Sequence, residues 1–199
     1  IALLVVGIVL LLRPAPGFDV QGHRGARGLL PENTMPAFTL ADDLGVTTLE
    51  MDTKVTKDGV LVVTHDSTLN PDLVRDAAGQ WVNEGIPLNS LTLDEVQKLD
   101  VGRLRPGSAY GQRFPEQQPI DGTRIPTLRE VLDTFRDRSQ VRFNIETKIE
   151  PDHPDHSPDP ADFSRVLIAK PYPPMVASTY SARCAGPAGI TVLDGFDCW

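Results

Sequence analysis

Glu50 and Asp52 lie two residues apart in Thr48-Leu49-Glu50-Met51-Asp52-Thr53-Lys54-Val55, where apolar Leu49, Met51 and Val55 alternate with charged positions. That period of two predicts a strand, and side chains at i and i+2 of a strand share one face. Two carboxylates held side by side repel, so one takes up a proton unless a cation neutralises both. Lys57-Asp58-Gly59 predicts a turn, and the apolar run Val60–Val63 leads into Thr64-His65-Asp66. A hairpin-like return there brings His65 back towards the carboxylate pair. Taken alone, the same pattern describes a solvated strand face with a histidine at a turn. The flanking sequence decides between the two.

Upstream, a short strand over Phe18–Gln21 runs into Gly22-His23-Arg24-Gly25-Ala26-Arg27-Gly28. Three glycines in seven residues predict a loop whose backbone approaches something closely. His23 and Arg24 stand where a first strand ends, a position that carries catalytic groups in parallel α/β folds. Downstream, Val141–Lys148 alternates again, with Asn144, Glu146 and Lys148 opposite Phe143 and Ile145. A charged face on a strand that follows buried helices is costly unless it meets a site. Asp152-His153 and Asp155-His156 have metal-like spacing, but in a Pro-rich loop they read as solvated.

These strands need helices to hold them. Pro31-Glu32-Asn33-Thr34 predicts a turn that caps a helix over Met35–Leu44, closed by Gly45. Glu32 and Asn33 read first as parts of that cap. Thr92-Leu93-Asp94-Glu95 and Thr127-Leu128-Arg129-Glu130 are capping boxes opening two more helices, the second burying Val131, Leu132 and Phe135. Asp159-Pro160 begins another, with Phe163, Val166 and Leu167 inward. Asn70–Asn83 is polar and turn-rich, and residues 102–123 have no period and predict a long surface loop near a site mouth. From Lys170 the pattern degrades, with Ile190–Leu193 as one further candidate strand and Cys184 and Cys198 as free thiols in a disordered tail. The order of elements predicts an α/β fold with mainly parallel strands.

The 199 residues carry a net charge of −8. That balance argues against nucleic acid, which is bound mainly by neutralising phosphates with Lys and Arg, and against tight adsorption to an anionic membrane. Two cysteines near the end give neither a disulfide framework nor a thiolate metal site. Ile1–Leu12 is uninterrupted apolar sequence followed by Arg13-Pro14-Ala15-Pro16. We read residues 1–16 as the truncated end of a signal sequence or N-terminal membrane anchor, which implies an exported or membrane-anchored, extracytoplasmic domain over residues 17–199.

Seven motifs, in order, make the chain from Val20 to about Ile149 resemble the glycerophosphodiester phosphodiesterase family. They are His23-Arg24-Gly25, Pro31-Glu32-Asn33-Thr34 with Ala37-Phe38, Leu49-Glu50-Met51-Asp52 and Thr56-Lys57-Asp58-Gly59. Val63-Thr64-His65-Asp66, Ile125-Pro126-Thr127-Leu128 and Ile145-Glu146-Thr147-Lys148 complete the series. The resemblance implies a TIM (β/α)8 barrel that hydrolyses glycerophosphodiesters to glycerol 3-phosphate and an alcohol with a divalent cation. It implies Glu50, Asp52 and Glu146 as metal ligands, and oxygen ligands suit Mg2+ or Ca2+. It implies His23 and His65 as the catalytic pair, and Arg24 and Lys148 as phosphate-binding residues. A complete barrel takes about 250 residues, so the expected barrel is incomplete at the C-terminus, with an atypical tail over 170–199. The alternatives are a lysophospholipase D- or phospholipase C-like activity on a lipid phosphodiester, or an inactive fragment that keeps the ligands.

Overall fold

The structure is a computed structural model and describes residues 19–150, 152–169 and 180–184. Ile1–Leu12, Ile190–Leu193 and Cys198 lie outside them. Among the described residues no helix is long and apolar enough to cross a membrane.

A parallel sheet runs through the molecule in chain order. β1 (Gln21–Gly22), β2 (Thr48–Val55), β4 (Arg142–Thr147) and β5 (Tyr180–Cys184) are successive parallel neighbours. β3 (Leu61–Val63) folds back antiparallel on the end of β2, pairing Thr53 with Val63. Parallel neighbours need crossover connections, and each crossover here carries a helix. α1 (Met35–Asp43) links β1 to β2, α3 (Leu128–Phe135) precedes β4, and α4 (Pro160–Ala169) precedes β5. α2 is a single turn, Leu93–Val96.

The helices start where their sequences say they should. The Thr34 hydroxyl caps α1 by accepting from Ala37 N, and both capping boxes form, Thr92 with Glu95 and Thr127 with Glu130. Asp159 Oδ1 accepts from the backbone N–H groups of Ala161 and Asp162 at the head of α4. The core lies between one face of the sheet and these helices. Leu49, Met51, Phe143 and Ile145 meet Phe38 and Ala41 of α1, Val131, Leu132 and Phe135 of α3, and Phe163 of α4. Burying one such large side chain contributes about 1.5–3 kcal/mol. A second, smaller cluster of Val62, Leu69, Leu88, Val96 and Ile125 organises the long excursion between β3 and α3.

One competing reading falls and one expectation needs correction. The alternation in β2 does not leave a solvated face, because all eight of its residues are buried. The segment after Lys170 is not uniformly structureless either: the backbone of Tyr180–Cys184, including Cys184, pairs with β4 from Phe143 to Thr147. The exposed edge of β4 supplies hydrogen-bond partners there, a tertiary effect that a local pattern cannot report.

Candidate active site

Register brings the acidic residues together. In the parallel pairing of β2 with β4, Glu50 lies opposite Asn144 and Asp52 opposite Glu146. One ligand atom from each of Glu50, Asp52 and Glu146 lies within 4.8 Å of the other two. Asp52 is fully buried and Glu50 nearly so, whereas the Glu146 side chain is 16% exposed. Desolvation, then the neighbouring Asp52 charge, pushes Glu50 up to about 7. Asp52 behaves oppositely: burial alone would raise it, but Asn33, Arg24 and other positive neighbours hold it below the usual carboxylate range.

The loop after β1 closes over this pair. Arg24 adopts φ 57°, a left-handed conformation uncommon for a side chain with a Cβ, as does Asn33 at φ 55°. That geometry turns the Arg24 backbone N–H onto Glu50 Oε2 at 2.7 Å and places Arg24 Nε 3.1 Å from Asp52 Oδ2. Its Nη1 donates to Glu32 Oε1 at 2.7 Å. The close backbone approach implied by the glycines is made to α1: a Cβ on Gly25 would lie 2.7 Å from the carbonyl carbon of Ala37.

His23 Nε2 stands 3.8 Å from Glu50 Oε2. Burial, with the charges of Arg27 and Arg24, holds its imidazole below the usual histidine range. Together His23, Glu50, Glu146, Gln21 and Asn144 line a cleft of about 220 Å³. Lys148 Nζ lies 2.8 Å from Glu146 Oε1 and 3.2 Å from Asp52 Oδ1.

His65 arrives from the other side. Thr64 N donates to Asp52 O at 3.0 Å, so the β3 return does carry the next residue alongside Asp52. The His65 charge acts on Asp52, yet its ring borders a different cavity, of about 670 Å³, that includes Asp66, Asn70 and Glu150. Among the described residues, His23 lines the cleft with Glu50 and Glu146, and His65 the cavity with Asp66 and Glu150. Asp66 orients His65, with His65 Nδ1 2.7 Å from Asp66 Oδ1, and Asn70 Nδ2 donates to Asp66 Oδ2 at 2.7 Å.

Several contributing residues were not read as site residues from the sequence. Asn33 does more than shape a cap: its Nδ2 donates to Asp52 Oδ2 at 2.9 Å. Glu32 joins Arg24 to the Tyr110 hydroxyl, which donates to Glu32 Oε2 from the long loop. Lys54 is wholly buried, with Nζ 3.0 Å from Lys148 O and 3.2 Å from Glu150 Oε1. The place of Glu32 and Asn33 within a quoted motif was an available signal. Nothing local marked Lys54 or Tyr110.

With this geometry in place, comparison with known proteins decides the relationship. The model of the glycerophosphoryl diester phosphodiesterase family matches residues 23–170. The chain belongs to that family. A glycerophosphodiester phosphodiesterase of Caldanaerobacter subterraneus is 40% identical over 129 residues, 65% of this chain and 44% of the relative. One from Bacillus subtilis is 36% identical over 128 residues, 63% of this chain and 38% of its own length. A crystal structure of a putative glycerophosphoryl diester phosphodiesterase from Silicibacter pomeroyi superposes with a TM-score of 0.70 at 34% identity, over 86% of this chain and 59% of that one. The chain thus spans under half the length of the curated relatives it matches.

Proposed function

We propose that this chain carries the site of a metal-dependent phosphodiester hydrolase that cleaves glycerophosphodiesters to glycerol 3-phosphate and an alcohol. The supporting fold reading is the opening part of a TIM barrel, since four parallel strands follow in chain order with helices between them. The observation that carries the functional reading is the converging carboxylate trio, two of them buried, flanked by cations and imidazoles.

The residues suit a divalent ion. Three carboxylates converge on one point, and Arg24 and Lys148 are the cations in contact with them. Arg24 is further shared with Glu32, so the cluster remains net negative. Asp52 Oδ1 is buried without a hydrogen bond, although Lys148 lies beside it. An all-oxygen donor set fits Mg2+ or Ca2+ rather than a soft metal. Glu50, Asp52 and Glu146 would hold the ion, which when bound polarises a phosphoryl oxygen.

The chain's own groups complete the chemistry. The added positive charge offsets the excess of carboxylates, so Arg24 and Lys148 become free to attract a phosphodiester anion. A carboxylate can only accept, so His65 Nδ1 carries its proton towards Asp66 and leaves Nε2 to take one from the attacking hydroxyl. Arginine can only donate, so Arg27 Nη2, 3.1 Å from His23 Nδ1, keeps the His23 proton on Nε2. There the Nε2–H can hydrogen-bond the departing alkoxide while it takes its proton from solvent.

The test is to supply the full chain with glycerophosphocholine and, separately, a lysophospholipid, each with Mg2+ or Ca2+, and to measure glycerol 3-phosphate and free alcohol. Cation-dependent release of glycerol 3-phosphate from the water-soluble diester supports the reading. Turnover of the lysolipid alone, or none with either substrate, rejects it.

A further inference from the structure

Away from the sheet, the loop after β4 holds a second converging set of ligands. One atom from each of His153, Asp155 and His156 lies within 4.8 Å of the other two. We propose that this loop is a second metal site, selective for a borderline cation of the Zn2+ class, at the rim of the cavity that His65 borders.

The loop is built rather than loose. His153 N donates to Glu150 O at 3.1 Å and His156 N to His153 O at 2.9 Å, which winds the segment into consecutive turns. Asn89 Nδ2 reaches across from a distant segment to donate to Asp155 O at 2.7 Å. Glu150 N donates to Ser157 Oγ at 3.3 Å, closing the base of the loop. On this frame the two imidazoles stack, with centroids 5.0 Å apart and planes 16° from parallel. The His156 side chain is only 20% exposed, and its Nε2 lies 3.7 Å from Asp155 Oδ2. His153 and Asp155 stay exposed, so the site opens to solvent.

The chemistry differs from that of the carboxylate trio. Imidazole nitrogen with one carboxylate oxygen matches the donor preference of Zn2+, Co2+ or Ni2+, whereas Mg2+ and Ca2+ take oxygen. Three protein donors leave a fourth tetrahedral position open. Glu84 also borders the roughly 670 Å³ cavity with His153, His156, His65 and Asp66, and its charge raises the local cation concentration. One chain would thus sort two cations by ligand type: a hard ion on the sheet and a borderline one in the loop.

The experiment saturates the full chain with Mg2+ and then titrates Zn2+, following the histidine ring nitrogens by NMR and the affinity by calorimetry. The ring signals of His153 and His156 should shift together and saturate at one equivalent. Replacing both histidines, H153Q with H156Q, should weaken that binding by more than about 100-fold, beyond the loss typical of a partner outside the coordination sphere. The melting temperature without Zn2+ should not change, which separates lost ligation from lost folding. Unmoved His153 and His156 rings would overturn the proposal. So would an undiminished Zn2+ affinity in the double variant, which places the ion on the carboxylate trio or the cysteines.

Discussion

β2 and β4 read alike as sequence and are built differently. Both alternate apolar with charged residues, and both present carboxylates to the same point. In β4 the alternation survives as exposure: Phe143 and Ile145 are buried while Asn144, Glu146 and Lys148 stay partly open. In β2 both faces are closed, and Glu50, Asp52 and Lys54 are all within the interior. The covering layer is the His23-Arg24-Gly25 loop and the Asn33 turn on one side, and Ser67 with Glu150 near Lys54. A buried charge is tolerated only when paired and hydrogen-bonded. The charged residues of β2 therefore serve folding and chemistry together, whereas those of β4 are free to serve chemistry alone.

The largest effect should come from Asp52→Ala. It removes the buried carboxylate shared by Arg24 and Lys148, which keep Glu32 and Glu146, and it leaves Asn33 Nδ2 without its acceptor, a loss of about 1–3 kcal/mol. It should also reduce diester hydrolysis by more than about 100-fold. Urea unfolding beside a product assay measures both, and an unaltered midpoint would show that β2 is not the structural strand. His65→Ala should lower turnover by about 100- to 10,000-fold, the usual share of a general acid or base, while shifting the unfolding midpoint little. A similar loss of stability would instead make His65 a packing residue.

Lys54→Met tests the interior of β2 without touching the carboxylates. Methionine fills much of the space but leaves Lys148 O and Glu150 without their shared donor, so the loss should be about 1–3 kcal/mol. Chemical denaturation checks it; a neutral result would mean that Lys54 only fills volume. The smallest effect concerns acid. Burial tends to raise Asp66, but hydrogen bonds from His65 and Asn70 bring it below its ordinary 3.8. A lowered folded value gives stability that is present above the unfolded pKa and lost as pH falls through the folded one. The stability difference between wild type and Asp66→Asn should therefore shrink below about pH 4. A difference that does not change with pH would remove Asp66 from that linkage.

Local signals carried the elements that local physics controls. Capping residues at Thr34, Thr92 and Thr127 placed three helix starts, and period-two alternation placed β2 and β4. The trio itself was legible because i and i+2 on a strand share a face and a third carboxylate recurred on the next charged strand. What local pattern could not supply was contact across long separations. Lys54 reaches Glu150 across 96 residues and Tyr110 reaches Glu32 across 78. β5 exists through pairing with β4, and its five residues have little strand character of their own. The placing of His23 and His65 likewise depends on how the β1 loop and β3 pack against β2.

Glu146, contributed by the open strand, completes the proposed ion site with Glu50 and Asp52 of the closed one. The direct measurement is the melting temperature of wild type and Glu146→Gln with and without Mg2+ or Ca2+, since a ligand that binds only the folded state raises the midpoint. Wild type should gain stability with the cation. Glu146→Gln should melt within a few degrees of wild type in its absence and gain little in its presence. A full cation-dependent rise in Glu146→Gln, or none in wild type, would contradict that ion site.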